Sequence, residues 1–187
     1  MTVFDVARYA TAQLMLMSTP RRRSATDESF YEPPDPLPPG QPGDLIRAEA
    51  MDAYLAPAVR LRARAWRVLY RSTSAIGEPT AVSGAVMLPR ASRSGRPSPL
   101  LGYAVGTHGI GDMAAPSRLL ARGLEWEAGL IAMALARGWA VAITDYQGLG
   151  TPGDHTYMVG RALGPNVLDA MRAARTLVPS ELPADGP

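Results

Sequence analysis

From about residue 60 the chain alternates apolar and charged positions. Arg60, Arg62 and Arg64 interleave with Leu61, Ala63 and Ala65, and the run continues as Trp66-Arg67-Val68-Leu69-Tyr70-Arg71. A period of two predicts a strand with one wet face. Ser72–Pro79 carries Gly77 and Pro79 and predicts a turn, and Ala81–Leu88 is a second β-rich run, so the two form an antiparallel hairpin. Leu100–Val105 is a short apolar run bounded by proline and glycine, the pattern of a buried strand. Residues 117–137 read as helix in two pieces. The better formed piece carries Leu130, Ile131, Met133, Ala134 and Leu135, with Gly138 at the C-cap position. Trp139–Thr144 follows as a buried strand, Asp145–Gly150 as a glycine-rich turn, and a closing helix runs to about Leu177. That helix has Pro165 near its first turn and a stripe of Val167, Leu168, Met171, Ala174 and Val178. Hairpin, strand, helix, strand, helix predicts an α/β fold in which an antiparallel hairpin leads into a parallel sheet with flanking helices.

Ahead of this unit, 58–187, lie two other segments. Residues 1–28 read as a helical arm with Phe4, Ala7, Leu14 and Met17 among its apolar positions, and 29–57 as a proline-rich wrapping segment, because proline fixes φ and lacks an N–H. The 187 residues are enough for one domain with a real core. Cysteine is absent, which excludes disulfides, thiol nucleophiles and thiolate metal sites. The two histidines, His108 and His155, lack a helical i, i+4 spacing, so no metal site and no cofactor is expected. All 19 basic residues are arginine, and the net charge is only +2. The Arg60–Arg71 stripe and Arg21-Arg22-Arg23 carry no nucleic-acid motif, so they read as solvated surface. Met1–Met17 lacks the leading positive charge of a signal peptide, and no stretch is long enough to cross a bilayer.

Ligands of a parallel sheet bind beyond the carboxyl ends of its strands. Two motifs are expected there. In Thr107-His108-Gly109-Ile110-Gly111-Asp112, the backbone N–H groups of a His-Gly loop can face an oxyanion, with His108, Gly109 and Asp112 as the candidates; the plainer alternative is a tight bend. In Asp145-Tyr146-Gln147-Gly148-Leu149-Gly150, the carboxylate of Asp145 either orients the neighbouring loop or caps a turn, and Tyr146, Gly148 and Gly150 complete a site-adjacent turn. Asp154-His155 sits in a Pro-Gly loop expected to be solvated. Ser117, after Pro116, reads as a helix N-cap. No Gly-x-Ser-x-Gly turn occurs in the sequence, so no serine nucleophile is expected within it.

Seven segments together resemble the secretory lipase family, the lipase A-like branch of the α/β-hydrolases: Phe30–Pro34, Gly43–Arg47, Trp66–Ser72, Gly106–Gly109, Ala115–Ser117, Gly138–Val141 and Asp145–Gly150. The resemblance implies hydrolysis of carboxylic esters, including triacylglycerols, through a serine acyl-enzyme, with lipid or acyl-ester substrates and a secreted location. It implies an incomplete α/β-hydrolase, with the serine, the Asp–His pair and a helical cap beyond Pro187. Of the family's site it implies only the oxyanion side here. A half sheet of this kind is expected to leave the edge of its last strand unpaired and open to self-association. The alternative is a catalytically silent fragment or pseudoenzyme that serves as an interaction module.

Overall fold

The computed structural model describes residues 28–90 and 97–183; the expected arm over 1–28 lies almost entirely outside them. Among the described residues the strands are β1 (Leu45–Met51), β2 (Tyr54–Ala56), β3 (Val59–Arg60), β4 (Ala63–Thr73), β5 (Pro79–Pro89), β6 (Leu100–Tyr103) and β7 (Ala140–Thr144). Among the described residues the α-helices of the sheet unit are α1 (Pro116–Leu120), α2 (Ala128–Ala136) and α3 (Gly160–Leu177). The main sheet runs β1-β4-β5-β7-β6, and β2 and β3 form a separate small hairpin.

The hairpin forms, but the start of the alternating Arg60–Arg71 run lies outside it: Arg60 belongs to β3 and the hairpin strand begins at Ala63. β4 and β5 pair antiparallel from Ala63↔Pro89 to Thr73↔Pro79. β1, inside the segment read as proline-rich and wrapping, adds antiparallel to β4. β6 and β7 are parallel, and α1 and α2 lie between them in sequence. This is a mixed sheet with flanking helices, the α/β class the sequence predicts. One expectation is corrected. β7, the last strand, is paired on both sides, to β5 and to β6, so the open edge beside it belongs to β6.

The pleat sorts side chains to two faces. Val68, Tyr70, Val82, Val86, Leu88, Ala140 and Ala142 pack with Ala170, Ala173 and Ala174 of α3. Ala85, Met87, Val141 and Ile143 pack on the other face with Leu120, Ile131 and Leu135 from the α1–α2 region. Phe30 and Tyr31, in the proline-rich segment, are buried with Leu69 and Ala81.

The closing helix departs from its expected pattern. It starts at Gly160, which puts Pro165 inside it, where the missing N–H leaves the Arg161 carbonyl without its i→i−4 donor. Leu168 of the expected stripe is exposed, whereas Asn166 and Asp169 are fully buried. They are buried because they are satisfied. Asn166 Nδ2 donates to Ser72 Oγ at 2.8 Å, and Ser72 Oγ donates to Asp169 Oδ2 at 2.7 Å. The Tyr70 hydroxyl reaches both Thr144 Oγ1 (2.7 Å) and the Asn166 carbonyl (2.9 Å). A buried polar group costs little only when bonded in this way. Among the described residues no helix is long and apolar enough to cross a membrane.

Candidate functional site

The two glycine-rich segments emerge from the carboxyl ends of the parallel pair, β6 and β7. They are joined directly: the Gly150 N–H donates to Asp112 Oδ1 at 3.1 Å. The structure therefore brings Asp112 of the first motif onto Gly150 of the second.

The loop after β6 is pinned at three places. At its start, the Gly106 N–H donates to Glu127 Oε1 at 2.9 Å, and the same carboxylate receives the Tyr103 hydroxyl on Oε2 at 2.5 Å. Burial, followed by the Glu127 carboxylate, pushes the Tyr103 hydroxyl well above its ordinary range. In the middle, His108 Nε2 lies 2.7 Å from Glu125 Oε1, and its ring meets Trp126 edge-on with centroids 4.6 Å apart. The His108 side chain is buried against these two residues, so only its backbone can face a ligand. At the end stands the Asp112–Gly150 bond. Within the described residues the Gly109 N–H donates to nothing in the protein.

The turn after β7 is shaped by its carboxylate. Asp145 is fully buried and accepts three hydrogen bonds: from Ser83 Oγ (2.7 Å), Ser117 Oγ (2.5 Å) and the Ser117 N–H (2.7 Å). Burial raises its pKa, and the Ser117 and Ser83 hydrogen bonds oppose the rise. Asp145 thus ties β7 to β5 and to the start of α1. Tyr146 holds a left-handed backbone (φ 66°), its N–H bonded to Thr144 Oγ1 and its hydroxyl to the Val105 carbonyl. Burial pushes that hydroxyl up to about 12, with Glu127 adding to the effect. Gly148 has φ 72°, and a Cβ there would sit 2.2 Å from the Asp154 carbonyl oxygen, so the turn requires glycine.

Two expectations are corrected. Ser117 does not cap α1. The cap residue is Ala115, and the Ser117 side chain instead bridges Asp145 and the Tyr31 hydroxyl, the latter 3.1 Å away. His155 is not simply solvated: its Nδ1 lies 3.0 Å from the Gln147 carbonyl, and a carbonyl only accepts, so Nδ1 carries the proton. The two histidines hold separate partners, Glu125 and Gln147. Sequence reasoning missed Ser83, Glu125, Glu127 and Asn166. The acidic pair Glu125–Glu127 just before α2 was the available signal, since such acids near a helix start have a backbone role.

The match to known proteins falls on this same region: residues 113–183 fit the secretory lipase family model. Over these residues the chain is similar to the secretory lipases. It is 29% identical over 160 residues to a probable inactive lipase of Mycobacterium tuberculosis, covering 80% of this chain and 34% of that one. It is 26% identical over 162 residues to a secreted triacylglycerol lipase of Malassezia globosa, covering 82% and 33% respectively. The chain thus spans about a third of the length of these curated relatives. Its fold superposes on Candida antarctica lipase A with a TM-score of 0.70 at 22% identity, over 88% of this chain and 38% of that one. The rice cell wall degrading esterase of Xanthomonas oryzae gives 0.61 at 23% identity, over 76% and 40%. The fold is that of part of an α/β-hydrolase.

Proposed function

We propose that this secretory-lipase relative supplies the N-terminal part of a carboxylic ester hydrolase that works through a serine acyl-enzyme. The single observation behind the reading is the Asp112–Gly150 hydrogen bond, which fixes the loop after β6 at the carboxyl end of the parallel pair with the Gly109 N–H uncommitted. A rigid main-chain donor at that end is what an oxyanion developing on an attacked ester requires. In this role His108 and Gly109 act through their backbone N–H groups, and Asp112 positions them. Asp145, Tyr146, Gly148 and Gly150 hold the facing turn.

The substrate class is an acyl ester, triacylglycerols among them. Exposed Ile110 and Met113 on the first loop, and Tyr157 and Met158 beyond the second turn, support an apolar substrate. The serine, its acid and its histidine belong to a longer protein, as does a cap. Segment 29–57 serves as the wrapping arm of the 58–187 unit. The open edge of β6 takes a further strand, from the longer protein or from a second copy.

A second reading is a silent relative, favoured by the likeness to a protein named a probable inactive lipase. One experiment separates them. The reading frame is continued past Pro187 through the next serine turn, and the product is assayed on p-nitrophenyl butyrate. Serine-dependent turnover supports the hydrolase. A folded product without turnover leaves the silent reading.

A further inference from the structure

Away from both glycine-rich loops, a cavity of about 290 Å³ opens between β1, the start of the β2 region, β4 and α1. Its walls include Met51, Tyr54, Arg67, Arg118 and Arg122, and Tyr31 closes one side. No residue of 107–112 or 146–150 lines it.

Arg118 is the unusual member. It is only 8% exposed, and its Nε is buried with no hydrogen-bond partner. Among the described residues its guanidinium makes no ion pair and no hydrogen bond; it lies over the face of the Tyr31 ring, with Cζ 3.7 Å from the centroid. Asp145 lies within electrostatic reach, but its hydrogen bonds come from Ser83 and Ser117, and none joins it to Arg118. Buried guanidinium groups are ordinarily paired, and their planar fork matches a carboxylate with two parallel bonds.

Arg67 and Asp52 of the wall are already matched. Arg67 Nη2 is 2.8 Å from Glu49 Oε2, and Asp52 pairs with Arg60. Arg122 is exposed, with Nη1 3.7 Å from the Met113 sulfur. One uncommitted buried cation calls for one negative charge. Ala50, Met51 and Ala121 on the wall give a short hydrocarbon tail somewhere to lie.

We propose that this cavity is a binding site for a small organic monocarboxylate, held by the Arg118 guanidinium on Tyr31, with Arg122 at the mouth. The site is independent of the ester-hydrolysis reading, since none of its residues belongs to the oxyanion loop.

The test titrates the full 187-residue chain with sodium butyrate, its neutral isostere butyramide, and inorganic phosphate, by calorimetry and amide NMR. Saturable butyrate binding is expected, with shifts at Tyr31, Tyr54 and Arg118. Butyramide and phosphate should each bind at least about tenfold more weakly, the scale of one charge-assisted hydrogen bond. Arg118→Gln, checked for folding by circular dichroism, should lose butyrate binding by about tenfold or more, and Arg122→Gln by less. The comparison of butyrate with butyramide uses the unaltered chain and stands even if Arg118→Gln fails to fold. Equal binding of butyrate and butyramide, preferential binding of phosphate, or no saturable butyrate binding at all overturns the proposal, as does full butyrate binding by folded Arg118→Gln.

Discussion

Asp145 grips Ser117 through both carboxylate oxygens: Oδ1 accepts the Ser117 N–H at 2.7 Å and Oδ2 the Ser117 hydroxyl at 2.5 Å. The hydroxyl has one proton, already given to Asp145, so the Tyr31 hydroxyl is the donor to Ser117 Oγ. A single serine side chain therefore joins the proline-rich segment, α1 and the end of β7. It also means that the Ser117 hydroxyl has a carboxylate beside it and no histidine, which is not the arrangement of an activated nucleophile.

Ser117→Ala removes one of the three donors to Asp145 and leaves the Tyr31 hydroxyl without its acceptor. Urea unfolding should show a loss of about 1–3 kcal/mol. A fluorophosphonate probe should label neither the unaltered 187-residue chain nor the variant. Stoichiometric labelling of Ser117 in the unaltered chain would contradict the structural role.

Asp145 should also impose a pH slope on stability. Burial raises its pKa above the ordinary 3.8 in the folded state. The folded chain therefore holds that proton more tightly than the unfolded chain. The resulting stabilisation is complete below the unfolded value and is lost as pH rises through the raised one. Asp145→Asn cannot titrate. The stability of the unaltered chain minus that of the variant should fall by about 1.4 kcal/mol per pH unit across this window. Urea titrations at steps from pH 3.5 to 7 measure it; a difference independent of pH would refute it.

Gly148→Ala should be the most damaging glycine substitution in the turn. The new Cβ meets the Asp154 carbonyl oxygen at 2.2 Å, and φ 72° is strained for any L side chain. Both terms act on backbone that cannot swing away, so a loss of at least about 2 kcal/mol is expected. Gly111→Ala, where a Cβ meets nothing within 4 Å, is the matched control and should be near neutral. Equal melting temperatures for the two variants would disprove the argument.

The legible parts of the fold are those whose patterns come from solvent on one side or none on either. The β4–β5 hairpin shows its wet face at exposed Arg64, and β7 is buried at all five positions as its apolar run predicts. The glycine-rich turns were legible because positive φ leaves a mark in composition. The buried face of α3 was not. Hydrophobic periodicity favours Leu168 for the interior, whereas the interior takes Asn166 and Asp169, whose partners Ser72 and Gln147 are 94 and 19 residues away from Asn166. Ser117 was misread for the same reason. Ser after Pro at a helix start suits a cap, and only the folded sheet brings Asp145, 28 residues later, onto it. At the site, loop positions could be read from the sequence; the acids that hold the loop, Glu125 and Glu127, could not be assigned partners without the fold.

In the proposed hydrolase the His108–Gly109 backbone presents donors to an ester oxyanion. The most direct test labels the longer protein with 15N, inhibits it with a p-nitrophenyl phosphonate ester, and follows the amide resonances of this loop. Marked downfield shifts of the Gly109 and His108 N–H protons are expected on adduct formation, reduced when Asp112→Ala unties the loop from Gly150. A phosphonylated serine with both amides unmoved would contradict it.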